Sequence, residues 1–195
     1  MNDARALWSS LLDGPGSAKL LDTIMERVAR GLSSMVGQTV CHDMPRVKRV
    51  HFTQVSACFH TPEAETVGVY LELKHGLSGW AILLLPLELA LKVAEQVMGA
   101  PPDSVTRLGL EERSALAEIG NLTLSYFLNA VAELTGRADV LLPSPPAVVV
   151  DMMAAILDLV VTPAAAFRDE LTVIETSFRD SASSVQACFW VLPDL

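Results

Sequence analysis

The chain has 195 residues, of which 51% are hydrophobic and 19% charged, with 14 Lys and Arg against 23 Asp and Glu and a formal net charge of −9. This is enough apolar chain for one large domain or two small ones with a sizeable core, and it excludes a disordered segment. The acidic balance argues against nucleic acid or an anionic membrane surface as the main partner, and favours basic peptides or a basic patch on another protein.

The N-terminal Met1-Asn2-Asp3 has no basic region leading into an apolar one, so no signal peptide is expected. Residues 17–36 read as a helix: Leu20, Leu21, Ile24, Val28, Leu32 and Met35 recur at helical spacing, Ser17 suits the N-cap and Gly37 the end. Residues 39–43 and 47–59 look extended, and a turn follows at 61–65. Residues 67–73 and 80–85, linked by His75-Gly76-Leu77, predict a hairpin. Residues 87–98 read as a helix stopped by Gly99, and 100–104 as a linker.

The longest predicted helix covers 111–134, with Glu111 and Glu112 suiting its positive N-terminal end and Gly136 its stop. Pro143-Ser144-Pro145-Pro146 is a rigid loop, 149–157 reads as a short helix, and 171–178 and 185–192 as two strands. The most apolar stretches, 80–85 and 147–161, are shorter than the roughly 20 residues a membrane helix needs, so no span is expected. Cys41, Cys58 and Cys188 are odd in number and form no Cys-x-x-Cys pair, which predicts three buried thiols in a reducing cytoplasm. His42, His51, His60 and His75 lie on or beside predicted strands without metal-ligand spacing, and are expected to be structural.

The chain repeats itself with a period near one hundred residues. Each half opens with a long helix ended by a glycine, at Gly37 and Gly136, passes a proline-bearing segment around Pro45 or Pro143, and closes on a strand pair ending in Leu-Pro, at 85–86 and 192–193. This predicts a single α/β (α+β) domain over 1–195, duplicated as halves of about 17–99 and 108–195, in which one mixed sheet is shared by two pseudo-symmetric halves and covered by the long helices.

On the longest helix, Ser114, Glu118 and Asn121 fall on one face, and Ser125 extends the stripe. Leu116, Ile119, Thr123, Tyr126, Phe127, Ala130 and Leu134 form a second stripe suited to lie on a sheet. Gly120 and Asn121 are poor interior helix residues, Gly by about 1 kcal/mol relative to Ala, yet they stand side by side in mid-helix. Close packing beneath the helix would explain the glycine, and a solvated face the glutamate and the amide.

Glu118-Ile119-Gly120-Asn121-Leu122, preceded by Ser114, resembles the signature of the CheC, CheX and FliY chemotaxis phosphatases: Asp or Ser, three residues, Glu, two residues, Asn, and a proline after a further 22. The run 110–116, the stretch 145–152 and the duplicated pattern look like CheC too, so the resemblance spans roughly 17–195. It departs in two places. Counting 22 residues beyond Asn121 reaches Ser144, flanked by Pro143 and Pro145, either of which fills the proline's role after a one-residue shift. Counting back from Pro45 places Asp22 where Asn would stand and Lys19 where Glu would, so the first half's site looks degenerate.

The resemblance implies a cytoplasmic phosphatase that hydrolyses the aspartyl phosphate of a CheY-type response regulator at a single site in the second half. An acyl phosphate hydrolyses readily, so a helper need only place water in line. A carboxamide is neutral toward the phosphoryl dianion and both donates and accepts hydrogen bonds. Asn121 is therefore assigned to the attacking water, and the resemblance implies that Glu118 docks on the regulator's active-site lysine, with Ser114, Pro143 and Pro145 in support. The protein is expected to hold no metal or cofactor of its own, Mg2+ belonging to the phosphorylated regulator. A CheD-like deamidase as a second partner and a homodimer stay open. The alternative is a non-catalytic adaptor that binds a response regulator or a CheD-like deamidase.

Overall fold

A computed structural model describes residues 2–55, 61–74, 76–136, 143–165, 169–180 and 186–195. Among these residues, period-two alternation and β-branched or aromatic residues build seven strands: β1 (Val40–His42), β2 (Arg46–His51), β3 (Glu65–Leu73), β4 (Gly79–Pro86), β5 (Ala147–Met152), β6 (Glu170–Asp180) and β7 (Ala187–Pro193). They form one sheet in the order β1-β6-β7-β4-β3-β5, with β2 following β1 along the same side of β6. The β3–β4 and β6–β7 pairs lie in the middle, and each half lends its leading strand to the other half's pair: β5 joins β3, while β1 and β2 join β6.

Every strand pair among the described residues is antiparallel, where the sequence suggested a mixed sheet. Parallel neighbours need a crossover that returns the chain to the same end of the sheet. Here neighbours are either consecutive strands or strands exchanged between halves, and β4 meets β7 head to tail, from Gly79 opposite Pro193 to Leu84 opposite Cys188.

Among the described residues five helices flank the sheet: α1 (Asn2–Leu12), α2 (Ser17–Val36), α3 (Leu87–Met98), α4 (Leu110–Leu134) and α5 (Met153–Ala165). None of the described helices is long and apolar enough to cross a membrane. Residues of α1 to α4 bury one sheet face, where Val67, Val69, Leu71, Leu83 and Leu85 meet Leu21, Ile24, Leu116 and Phe127 in one core. On the opposite face Ile156 and Leu157 of α5 join Ile82, Leu84, Val173 and Trp190.

A glycine follows each long helix, Gly37 as the C-cap of α2 and Gly136 one residue past Thr135, the C-cap of α4. Gly37 and Gly136 both take left-handed backbone, at φ 72 and 67, as a residue without Cβ does readily. Counted from these glycines, the buried set of α2 (Leu21, Ile24, Met25, Val28, Ala29, Leu32) falls on buried residues of α4 (Gly120, Thr123, Leu124, Phe127, Leu128, Val131).

Four local expectations change. Gly16, at φ 90, takes the N-cap position of α2, so Ser17 is the first helical residue instead of the cap. The stretch 149–157 is not one helix: Val148, Val149 and Val150 pair with β3, and the helix begins only at Met153. The switch is pinned from outside, because Met153 N–H donates to Ala64 O at 3.0 Å and Ala154 N–H to Pro62 O at 2.9 Å. Finally, α1 was not anticipated, yet its Trp8 and Leu11 are fully buried and Trp8 Nε1 donates to Ser78 O at 2.9 Å. The predicted strand 47–59 ends at His51 and gives way to a 3-10 turn, Phe52–Gln54; its remainder at 56–59 lies outside the described residues.

The thiols also differ from expectation. Cys58 lies outside the described residues, and Cys41 is exposed on β1, which is an edge strand with one open side. Cys188 is half-buried, and burial, then the nearby Glu175 carboxylate, push its thiol up to about 12. The thiolate is the reactive form. In iodoacetamide labelling at pH 8 mapped by mass spectrometry, Cys41 should be modified in the native protein and Cys188 only after unfolding.

Candidate functional site

Helix α4 is laid down by its own sequence. Glu112 Oε2 accepts the backbone N–H of Gly109 at 2.8 Å, the reach-back that closes an open helix start, and Glu111 adds a second negative charge to that end. Buried Leu116, Ile119, Thr123, Leu124, Phe127 and Leu128 then fix which face lies on the sheet. The opposite ridge runs through Ser114, Glu118, Leu122, Ser125 and Asn129 at helical spacing, with Asn121 on its flank.

Gly120 sets the height of that ridge. A Cβ built there would stand 2.3 Å from Val69 Cγ1 and 3.0 Å from Val69 Cβ, so only a glycine lets the helix lie this close to β3. The close-packing explanation of Gly120 holds. Its neighbour Asn121 is half-buried, and Glu118, one turn earlier, is exposed. Neither side chain has a hydrogen-bond or ion-pair partner among the described residues. Residues three apart on a helix have Cβ atoms about 5–6 Å from each other, so the carboxylate and the amide can reach one bound object together.

The supporting residues fare unequally. Ser114 is exposed, but its hydroxyl donates back to Leu110 O at 2.9 Å along the helix and does not reach Glu118. Pro143 bridges Leu73 at the end of β3, and Pro145 is exposed. Between them Ser144 makes two bonds that a proline at its place would not make in the same way: its N–H donates to Glu72 O at 2.9 Å, and its Oγ accepts Glu72 N–H at 2.8 Å. The loop is thus stitched to the stretch of β3 that begins at Leu71, whose Cδ1 is 3.7 Å from a Cβ built on Gly120. In the sequence Ser144 stands only as a gap between two prolines; its role as a clamp shows once β3 lies beside it.

Aligned on the glycines that end the two long helices, Lys19 occupies the place of Glu118 and Asp22 that of Asn121. Lys19 is exposed, whereas Asp22 Oδ1 lies 3.0 Å from His42 Nε2 of β1. The first-half position therefore puts a cation, Lys19, where α4 has the anion Glu118, and its acid, Asp22, is engaged by the chain's own imidazole. His51 Nδ1 lies 2.7 Å from Thr53 Oγ1, and His60 and His75 are outside the described residues. No cluster of three or more metal-ligating side chains occurs among the described residues.

The apolar cleft between α2, α3 and the sheet is lined by Leu32, Val36, Val93 and Ile119, but by neither Glu118 nor Asn121. Two polar groups on an open ridge cannot enclose a small molecule, since ligand sites are concave. They can complete a concave site presented by another macromolecule.

Comparison with known proteins points to the same helix. The sequence model of the CheC-like family matches residues 111–150, which take in most of α4 and the start of β5. The CheY-P phosphatase CheC of Bacillus subtilis (strain 168) is 24% identical over 170 residues, covering 85% of this chain and 80% of that protein. In fold, the chain is similar to FliY of Thermotoga maritima (TM-score 0.69, 23% identity, 90% of this chain and 86% of that one). It is similar as well to the structure of a CheX–CheY–BeF3–Mg2+ complex from Borrelia burgdorferi (TM-score 0.59, 15% identity, 91% of this chain and 99% of that one). The chain is thus similar to CheC-like proteins in the sequence of its longest helix, and to FliY in a fold shared over nine-tenths of its length.

Proposed function

We propose that the chain is a hydrolase acting on the aspartyl phosphate of a CheY-type response regulator, and that α4 supplies its one active site. The observation that carries this reading is the exposed Glu118 and accessible Asn121, unengaged among the described residues, on an open ridge inside the segment that matches the CheC-like family. The name of the Bacillus relative, CheY-P phosphatase, and the CheX–CheY complex support the choice of substrate.

The chemistry asked of this chain is small. Water attacks phosphorus in line, the bond between phosphorus and the aspartyl oxygen breaks, and inorganic phosphate and a free carboxylate leave. Mg2+, held by the regulator, neutralises phosphoryl charge. Asn121 holds the attacking water through its carboxamide, which no negative charge sets against the phosphoryl group. Glu118 pairs with a lysine of the regulator, and this ion pair docks the ridge in register. Proline-flanked Ser144 fixes the loop beside β3. Ser114, committed to its own helix, contacts the partner at most and is no nucleophile.

We infer in addition that 17–99 and 108–195 are duplicated halves of one domain, which the recurrence of the buried set of α2 in α4 supports. The first half's position is idle in this reading. The Lys19→Ala/Asp22→Ala double variant should dephosphorylate the regulator at the wild-type rate, and a loss of tenfold or more would move the active site or double it.

The direct test is phosphate release from a phosphorylated CheY-type regulator with and without the full chain. Acceleration is expected. Binding without acceleration would leave the adaptor reading in its place. Glu118→Ala should raise KM more than it lowers kcat, because it removes a charge partner of the docked complex; an unchanged KM for phosphorylated regulator would remove the docking role.

A further inference from the structure

The edge strand β2 differs from the rest of this acidic chain. Within six residues it holds Arg46, Lys48 and Arg49, three of the 14 basic residues. Arg46, Val47, Arg49 and His51 are exposed. Lys48 Nζ is spoken for by Glu175 Oε1 at 2.8 Å, and Trp190 Nε1 takes the other oxygen of that carboxylate at 3.1 Å. The nearby Asp43 meets Arg179 at 3.3 Å. Arg46 and Arg49 have no ion-pair partner among the described residues.

The main chain of β2 is open on one side. Its inner side pairs with β6, from Arg46 opposite Glu175 to His51 opposite Glu170, and Phe52 N–H continues the ladder to Asp169 O at 3.1 Å. Antiparallel alternation then turns the N–H and C=O groups of Val47, Arg49 and His51 away from β6. No strand pairs with that outer side among the described residues.

Basic side chains on an edge commonly guard against self-association. That explanation is incomplete here. The opposite edge strand, β5, reads Ala-Val-Val-Val-Asp-Met, is the more apolar of the two, and carries no basic residue at all. The charges on β2 do bar a second copy of the chain: the central antiparallel registers set Lys48 against Lys48 or Arg49 against Arg49, and like charges directly opposite destabilise. The same charges favour a strand of opposite sign.

We propose that the outer edge of β2 is a docking edge for an extended acidic segment of a partner protein, which adds to the sheet as a strand beside Val47, Arg49 and His51. Main-chain hydrogen bonds supply the register, and Arg46 and Arg49 select for carboxylates. This surface is separate from the ridge of α4, and the proposal stands whether or not that ridge is catalytic.

The probe is a fluorescein-labelled acetyl-Glu-Val-Glu-Val-Glu-Val-Glu-amide peptide, followed by anisotropy against the full chain at low salt. It should bind at least about tenfold more tightly than its lysine counterpart, and Arg46→Glu/Arg49→Glu should reverse that order. Val47→Pro removes an outward N–H without touching the ladder to β6, a position where proline is tolerated. It should weaken the acidic peptide by about tenfold or more while leaving the melting temperature in place. Equal binding of both peptides would overturn the proposal. So would undiminished binding to Val47→Pro, which would mark a mere basic patch open to any anionic surface. Concentration-dependent dimerisation of the wild type, lost in Val47→Pro, would overturn it in favour of a second copy.

Discussion

Asn121→Ala should abolish stimulated dephosphorylation while making the protein slightly more stable. The amide is half-buried and has no hydrogen-bond partner among the described residues, so the fold loses little by its removal. Alanine is moreover the better interior helix residue, by about 0.6 kcal/mol. In function the loss is large, because a group that holds the attacking water contributes about 100-fold or more to the rate, or ~2.7 kcal/mol of barrier. The fall should lie in kcat with KM little changed, since Glu118 and its docking contact remain. Asn121→Asp is the sharper companion: it keeps the shape and sets a negative charge against the phosphoryl group, and its rate should fall as far. Stopped-flow decay of phosphorylated regulator and a thermal melt read both effects. A variant as fast as the wild type would remove Asn121 from the mechanism, whatever its stability.

Asparagine in mid-helix is a local cost, and such costs are where a sequence speaks of function. The ridge of α4 was readable because its period is strictly helical over Leu116, Ile119, Thr123 and Phe127, which leaves Ser114, Glu118 and Asn121 on the other side. The boundaries of α3, 87–98, were readable for a similar reason, with Gly99 at φ 64 ending it. What could not be read is contact between distant segments. Nothing local to Asp22 announces His42, and nothing in Ser144 announces Glu72, because both partnerships arise from strands laid beside elements far away in the chain. The exchange of leading strands between halves is of the same kind, and it is what makes the sheet wholly antiparallel among the described residues. The apolar run at 147–161 defeated its reading for another reason. A short continuous apolar stretch suits a buried strand or a buried helix equally by periodicity, and here it is both in turn. Helix α1 did leave a signal in Leu7, Trp8, Leu11 and Leu12, but only two helical turns of it.

Gly120→Ala should cost about 2 kcal/mol of stability, the largest loss expected from so small a change on this helix. The added Cβ would meet Val69 at 2.3 Å, and a β-branched side chain held in a central strand has no easy rotamer to yield. Helical propensity pulls the other way by about 1 kcal/mol, so the clash must exceed it for the variant to melt lower. For a chain of this size the net loss lowers Tm by roughly 4–8 °C. The relief is specific. Val69→Ala removes the Cγ atom that the new methyl meets, so in a double-mutant cycle Gly120→Ala should cost markedly less on the Val69→Ala background, a coupling of about 1 kcal/mol or more. Additive losses would show that Gly120 serves something other than the approach of α4 to β3. Lifting the helix also shifts Asn121 relative to the loop at Ser144, so the single variant should lose part of its kcat at temperatures where it is fully folded. Val69→Ala in the double variant should restore much of it, which neither substitution at Asn121 allows.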